Sequence, residues 1–502
     1  VALLLPAVAS ATATWLTVSP LSQRGAGFAD TAMAGSGGAA MAWLQSGGPE
    51  GSVQVATRAP LGSFAPAVTA SPAGEVRAPQ VAVDAAGDAT VVWYGVSGSN
   101  FLVQVATVTD GMPSHAEALS ETGENAVFPA VAVDERGDAI VAWTRGGIVQ
   151  ASFRPAGGSF GAAVDLSGSG AFVVPRVAID AAGDATVVWD RGEVVEAATR
   201  AAASGSFSKA AAISNVAEPA LEPVLAMNAA GDTAVTWIAS NGTVELVQVV
   251  VRPAGGTFDK AVNVSGEGAS AAYPQVALDG RGDPGVTWTS VFGGLFIVQY
   301  AASGTPAGAF SVPQSLAYLA WAPTIAEDPA GDTLIGYENL QSNSAVAVFR
   351  PAGGAFGQPQ EVSPAGQLVS PNGDSDEQGL NVALDEDGDG VVGFTTASGE
   401  DLAEASLLDR TGPTLEDVSI PAAATAGVPV SFAVAPSDRV DPAPAVTWSF
   451  GDASTASGAS VRHTFADPGT YSVSVTATVA PGDVVTRSGT IAVAAPPAPA
   501  TA

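Results

Sequence analysis

The chain has 502 residues, a formal net charge of −31 and no cysteine. Lacking cysteine, it has no disulfide, no thiol nucleophile and none of the usual structural zinc sites. Its acidic excess, with Lys209 and Lys260 as the two lysines, argues against nucleic acid, which needs a basic footprint, and favours neutral or basic partners and cations.

The chain opens with Val1-Ala-Leu-Leu-Leu-Pro-Ala-Val-Ala-Ser-Ala-Thr-Ala13. This has the apolar run and small-residue cleavage zone of a secretory signal. Residues 1–13 therefore point to an extracellular protein, secreted or associated with the cell surface. Thr14-Trp-Leu-Thr-Val-Ser-Pro-Leu-Ser22 follows as a β-like run with no hairpin partner of its own.

From there the chain repeats itself. Pro79-Gln-Val-Ala-Val-Asp84-Ala-Ala-Gly87-Asp88-Ala-Thr-Val-Val-Trp93 returns at Pro129–Trp143, Pro175–Trp189, Pro223–Trp237, Pro274–Trp288 and Pro323–Tyr337. A degenerate copy, Phe28–Trp43, precedes it, and a looser one ends in Asp385, Gly388, Asp389 and Phe394. A period of roughly 50 residues marks a propeller or a solenoid. Each unit has two β-like runs around a turn. The turn residues are Asp84, Gly87 and Asp88, then Asp134, Gly137 and Asp138, then Asp180, Gly183 and Asp184. The first Asp suits capping of the turn, and Gly suits its left-handed position. A third run ends in Arg and meets a Gly/Pro loop, as in Arg154-Pro-Ala-Gly-Gly, and a short fourth run follows. Four strands in that length make one propeller blade.

Eight units predict an eight-bladed propeller over 14–410. Seven blades is the count if the degenerate first unit is not a blade. The last unit lacks a fourth run, and Thr14–Ser22 can supply it, closing the ring and hiding two strand edges. The hairpin Trp residues are expected in the core between blades. Arg58, Arg154, Arg200, Arg252 and Arg350, at the ends of third strands, are expected to partner the turn carboxylates. No run approaches the ~18 apolar residues of a membrane span.

Two acidic segments stand out. Asp385-Glu-Asp387-Gly-Asp389-Gly390 resembles the start of a calcium loop, with oxygens at the first, third and fifth places and Gly at the sixth. Asp385, Asp387 and Asp389 are thus the candidate metal ligands and calcium the candidate cofactor. Thr396 stands where the loop needs a bidentate Glu, and turn capping accounts for Asp385 equally well. Asn372-Gly-Asp374-Ser-Asp376-Glu377 is the second, in the longest insertion of the ring. No catalytic set is evident: His115 is the only His in the repeats.

Composition changes after Asp409. Over 411–495 the repeat is gone, and Tyr471, Val473, Val475, Ala477 and Val479 alternate with Ser and Thr, as in a half-buried strand. Trp448-Ser-Phe450-Gly451-Asp452, His463-Thr-Phe465 and Pro468-Gly469-Thr-Tyr471 resemble the polycystic kidney disease (PKD) domain, with Ala453 where that family usually has Gly. The resemblance implies an immunoglobulin-like β-sandwich with Trp448 in its core and Tyr471 at a strand corner. It also implies an extracellular spacer or interaction module. The hairpin pattern Pro-x-Val-Ala-Val-Asp-x-x-Gly-Asp is similar to NHL-type propeller repeats, which supports the fold. Residues 496–502 read as a Pro/Ala-rich linker.

The expectation is an all-β, monomeric extracellular binding protein whose propeller recognises carbohydrate or another protein. Two alternatives are a polysaccharide-active glycosidase or lyase, and a structural surface-layer component. An enzyme would show two carboxylates near the ring axis, one with a raised pKa.

Overall fold

The computed structural model describes residues 14–497 apart from 17, 47–50, 61, 171–173, 307, 365, 367–378, 397–400, 441–442 and 480–482. Segment 1–13, the acidic loop 372–377 and most of the terminal linker lie outside the described residues. Every regular element described is a β-strand. The chain forms two compact units, one within Thr17–Leu407 and one from Leu408 onward.

The first unit is a β-propeller. Among the described residues it has eight antiparallel sheets, each of four strands, in chain order in the first seven, with the outermost strand broken in the second and eighth. Blades 1 to 8 begin with the inner strands Ala26–Met33, Val76–Val83, Ala126–Val133, Arg176–Ile179, Ala220–Met227, Ser270–Leu278, Ala320–Glu327 and Leu380–Leu384. Each inner strand lies against the next, and the eighth against the first. Ser19 and Pro20 pair with Ala405 and Glu404 on the third strand of blade 8, so the N-terminal run supplies its missing edge.

The Val/Ala-rich strands pack face to face between blades. Trp43, Trp93, Trp143, Trp189, Trp237 and Trp288 are each at most 1% exposed. Each stands opposite a Gln or Glu of the third strand. In four blades the indole N–H donates to a nearby side-chain oxygen: Gln45, Gln150, Glu196 and Gln248. This satisfies the one polar atom that burying an indole strands.

The second unit is a β-sandwich. One sheet runs Thr414–Ser419, Val430–Ser437, Ser460–His463; the other runs Ala423–Thr425, Val484–Ala494, Gly469–Thr478, Ala445–Ser449, Thr455–Ser457. Val473, Val475 and Ala477 face inward, on the face their alternation gives them. Trp448 is fully buried and donates to Gly458 O at 3.0 Å. Tyr471 donates to Asp467 O at 2.9 Å across its corner. Gly451 has φ of 80°, and a Cβ there would sit 2.5 Å from Ser472 O. Asp452 accepts from the Ser454 amide at 3.1 Å and contacts His463 Nε2 at 2.7 Å; His463 stacks on Phe450 at 4.1 Å. Burial opposes the charge on Asp452, but the hydrogen bonds from Ser454 and His463 outweigh it and leave the carboxyl below its ordinary pKa.

Ala453 takes φ of 71°, a left-handed conformation that disfavours a Cβ. Ala453→Gly should therefore stabilise this unit by about 1 kcal/mol. Thermal unfolding of the full chain checks this, as a rise in the sandwich transition.

Candidate functional site

The ring has two differently built ends. At one end lie the turns between first and second strands. In blades 2 to 8 the first residue of the turn, Asp or Asn, accepts main-chain amides two and four residues on, or three and four on in blade 7; blade 1 has Ala34 there. Asp84 Oδ1 takes Ala86 and Asp88, both at 3.0 Å, and Asn228 takes Ala230 and Asp232. The second Asp holds the loop after the third strand. Asp138, Asp184 and Asp232 accept the amides of Ala156, Ala202 and Ala254 at 2.7, 2.6 and 2.9 Å. Gly is required for two reasons. Gly231 has φ of 94°, and a Cβ there would lie 2.6 Å from Asp180 Oδ2 of the preceding blade.

The turn tips also bind one another. Ala85 N donates to Glu135 O, Ala181 N to Ala229 O and Glu386 N to Gly35 O, at 3.1–3.3 Å. Gly35 N reaches past blade 2 to Glu135 Oε1 at 2.9 Å. The tips are thus linked to one another across blades at that end of the ring.

These bonds determine what the repeated carboxylates do. Asp134, Asp180, Asp279, Asp328 and Asp385 are buried and engaged by main-chain amides, so the pairs act as turn scaffolding. Asp385 Oδ1 takes the amides of Asp387 and Asp389 at 3.0 Å, as in the other blades, and Asp387 is exposed. Among the described residues no group of three or more His, Asp or Glu side chains is arranged to hold a metal ion. His115 is exposed on an outer loop.

The third-strand arginines differ from expectation. Arg154 donates to the hydroxyls of Thr107 and Thr90, both at 2.9 Å, and Arg252 to those of Thr186 and Thr233. Arg200 donates to Gly183 O at 3.0 Å, and its guanidinium stacks 3.5 Å over Phe153 of the preceding blade. Their direct partners are hydroxyls and turn carbonyls, while the turn carboxylates act on Arg154, Arg200 and Arg252 through longer-range charge attraction. Two arginines inside the turns pair with turn carboxylates: Arg136 with Asp134 at 2.8 Å, Arg281 with Asp279 at 2.7 Å.

The other end of the channel opens into a pocket of about 200 Å³. Its walls come from one recurring irregularity. In six blades the register between first and second strands slips by one residue, between Arg77 and Gln80 for example. In five of them the slip falls at the repeat's Pro, which has no N–H for the ladder; blade 1 has Ala29 in its place. The residue before it takes a left-handed φ: Phe28 54°, Ala78 45°, Phe128 54°, Glu222 55°, Tyr273 52° and Ala322 46°. Such a bulge re-aims the side chains that follow it.

The residue after the Pro position diverges in chemistry between the copies. It is Asp30, Gln80, Ala130, Arg176, Val224, Gln275, Thr324 and Asn381 in blades 1 to 8. Asp30, Gln80, Arg176, Gln275 and Asn381 line the pocket, with Glu222, Tyr273 and Phe28 from the bulges. Asp30 accepts from the Val81 amide at 2.9 Å, and Asn381 donates to Ala29 O at 3.3 Å. Burial pushes the Asp30 carboxyl up to about 6. The amides of Val81 and Thr31 and the charge of Arg176 work the other way without overcoming it. The pocket therefore offers amide donors and acceptors, one guanidinium and two carboxylates beside two aromatic rings. Sequence reading misses it, although the varying column in an otherwise regular repeat is its signal.

Residues 410–493 match the family model of the PKD domain, and the second unit is such a domain. A search of curated proteins finds no match for the chain. Several solved structures are similar. The Dos1 propeller is 10% identical, covering 79% of this chain and 95% of that one, with a TM-score of 0.45. A protein of unknown function from Dyadobacter fermentans DSM 18053 is 13% identical over 67% of this chain and 95% of that one, TM-score 0.40. A PL25 ulvan lyase bound to -[GlcA(1-4)Rha3S]- is 10% identical over 65% and 93%, TM-score 0.45.

Proposed function

We propose that the propeller is an extracellular carbohydrate-binding domain whose axial pocket holds a sugar unit, with the PKD domain as spacer or accessory contact. One observation carries this. The position after the bulge abandons the Val/Ala chemistry of the repeat for Asp30, Gln80, Arg176, Gln275 and Asn381, all at one pocket. Side-chain amides, a carboxylate and a guanidinium beside Tyr273 match the hydroxyls and apolar ring faces of a sugar. The acidic surface favours a neutral sugar over a polyanion.

A binding screen of the full chain against an array of glycans and bacterial wall polymers tests this. Arg176→Ala and Gln275→Ala should each weaken retention about tenfold or more, the effect of losing one or two directed hydrogen bonds. Full retention by both variants would overturn the pocket as the site.

A second reading has its own support. Asp30 and Glu222 come from blades half a ring apart and line the same pocket, and Asp30 is held near pKa 6. A carboxyl that stays partly protonated beside a second carboxyl suits acid–base cleavage of a glycoside. Release of reducing sugar from a retained polymer, lost in Asp30→Asn, would move the assignment from binding to hydrolysis or elimination.

A further inference from the structure

The pocket is smaller than the roughly 300–1,000 Å³ that encloses a drug-sized ligand, and its surroundings are not uniform. Two aromatic clusters lie outside the polar lining, one of them reaching the pocket through Tyr273. In blades 6 and 7, Tyr273 lines the pocket and meets Trp321 edge to face at 5.7 Å; Phe296 meets Trp321 at 6.2 Å. In blades 2 and 3, Tyr94 meets Phe101 at 5.4 Å and Phe128 at 6.1 Å. All six rings are half-buried, so part of each faces solvent.

The clusters occupy matching places. Phe101 lies opposite Val96 and Phe296 opposite Val291, each three residues before the Gln that faces the blade's Trp. Blades 1, 3, 4, 5 and 7 carry Gly51, Gly147, Glu193, Glu245 and Asn343 at that position. An aromatic ring there is thus a feature of blades 2 and 6 alone in this comparison. In a ring of eight sheets those blades lie on opposite sides of the axis. Phe128, in the cluster of blades 2 and 3, holds the bulge position of blade 3 that Tyr273 holds in blade 6.

We infer that the ligand is a linear neutral polysaccharide that crosses the mouth of the ring, one unit in the axial pocket and flanking units against the two aromatic clusters. The inference rests on the carbohydrate reading of the pocket. Sugar rings present C–H faces that pack on aromatic rings and hydroxyls that bind the polar pocket between them. A peptide with apolar side chains at the clusters would leave Asp30, Gln80 and Arg176 without partners. A polyanion would meet the net charge of −31.

Affinity electrophoresis of the full chain through gels holding soluble glucan, xylan or galactomannan selects the polymer. Titration with its oligosaccharides, from dimer to octamer, then tests the span. Affinity should rise with length. Phe101→Leu and Phe296→Leu, which keep apolar bulk, should each lower octamer affinity about tenfold and leave dimer affinity unchanged, with unchanged near-ultraviolet circular dichroism. Arg176→Ala should lower both. Dimer and octamer binding equally tightly, or octamer binding unaffected in both Leu variants, would overturn the polymer inference and leave the pocket reading standing. No retention by any polymer and no binding of any oligosaccharide would overturn both.

Discussion

Glu327→Gln should raise the stability of the propeller at pH 8 by a few kcal/mol and flatten its pH dependence. Other blades place Met33, Val83, Ile179, Leu278 or Leu384 where blade 7 has Glu327. Its side chain is 3% exposed, and Gly285 makes room, since a Cβ there would collide with Glu327 Oε1. That oxygen accepts from Thr333 at 3.0 Å and Tyr300 at 3.3 Å, with Arg350 at 3.6 Å. Burial dominates these partners and pushes the carboxyl up to about 8. Between its ordinary 4.5 and that value the folded protein holds a proton that the unfolded chain has released. Stability therefore falls as pH rises through this window and levels off above it. At ~1.4 kcal/mol per pKa unit the full window is worth a few kcal/mol. Asp30 adds a smaller fall between 3.8 and about 6. Denaturant unfolding at pH 4, 6 and 8 reads this directly. Parallel curves for wild type and Glu327→Gln would show that Glu327 is not the source.

Trp143→Ala should destabilise the propeller by about 3–5 kcal/mol, the range for removing a buried aromatic that its surroundings cannot refill. A finer comparison separates packing from hydrogen bonding. Trp143 and Trp237 donate to Gln150 and Gln248, both at 3.1 Å, whereas the indole N–H groups of Trp93 and Trp288 have no acceptor. Phe at 143 or 237 strands a glutamine oxygen; Phe at 93 or 288 removes a buried donor that has no partner. Trp143→Phe should thus cost about 1–2 kcal/mol more than Trp93→Phe, as measured by shifts in denaturant midpoint at constant slope. Equal losses would mean that packing alone sets the value of these residues.

Much of this was legible from residue order. The Asp-x-x-Gly-Asp turn is a local device, and its capping bonds and left-handed Gly follow from residues within five positions. The Trp core and the strand that closes the ring follow from periodicity and from one missing run. The sandwich was legible because Trp448, Gly451 and Tyr471 each serve a local geometric need. What sequence reading missed depends on neighbours far apart in the chain. The third-strand arginines share an end of the ring with the turn carboxylates, which made an ion pair the natural expectation. The loop amides that claim Asp138, Asp184 and Asp232 lie two residues after the third-strand arginines, but their aim is set by tertiary folding. The axial pocket was hidden for the same reason. Asp30, Gln80, Arg176 and Gln275 are one residue per repeat, and only ring closure brings them together. Comparing the copies for the column that changes, instead of the columns that repeat, would have found them.

The blade completed by Ser19 and Pro20 sets a timetable. The partners of that strand, Glu404 and Ala405, leave the ribosome roughly 400 residues later, about 20–80 s at usual elongation rates. Until then Met41 and Trp43 of blade 1 lack Val391, Ala403 and Ala405, which cover them in the finished ring. The first blade to be made is thus among the last to be sheltered. A chain that waits this long with an open apolar seam needs a holding factor, or an export route that delivers it unfolded, to avoid pairing with its neighbours.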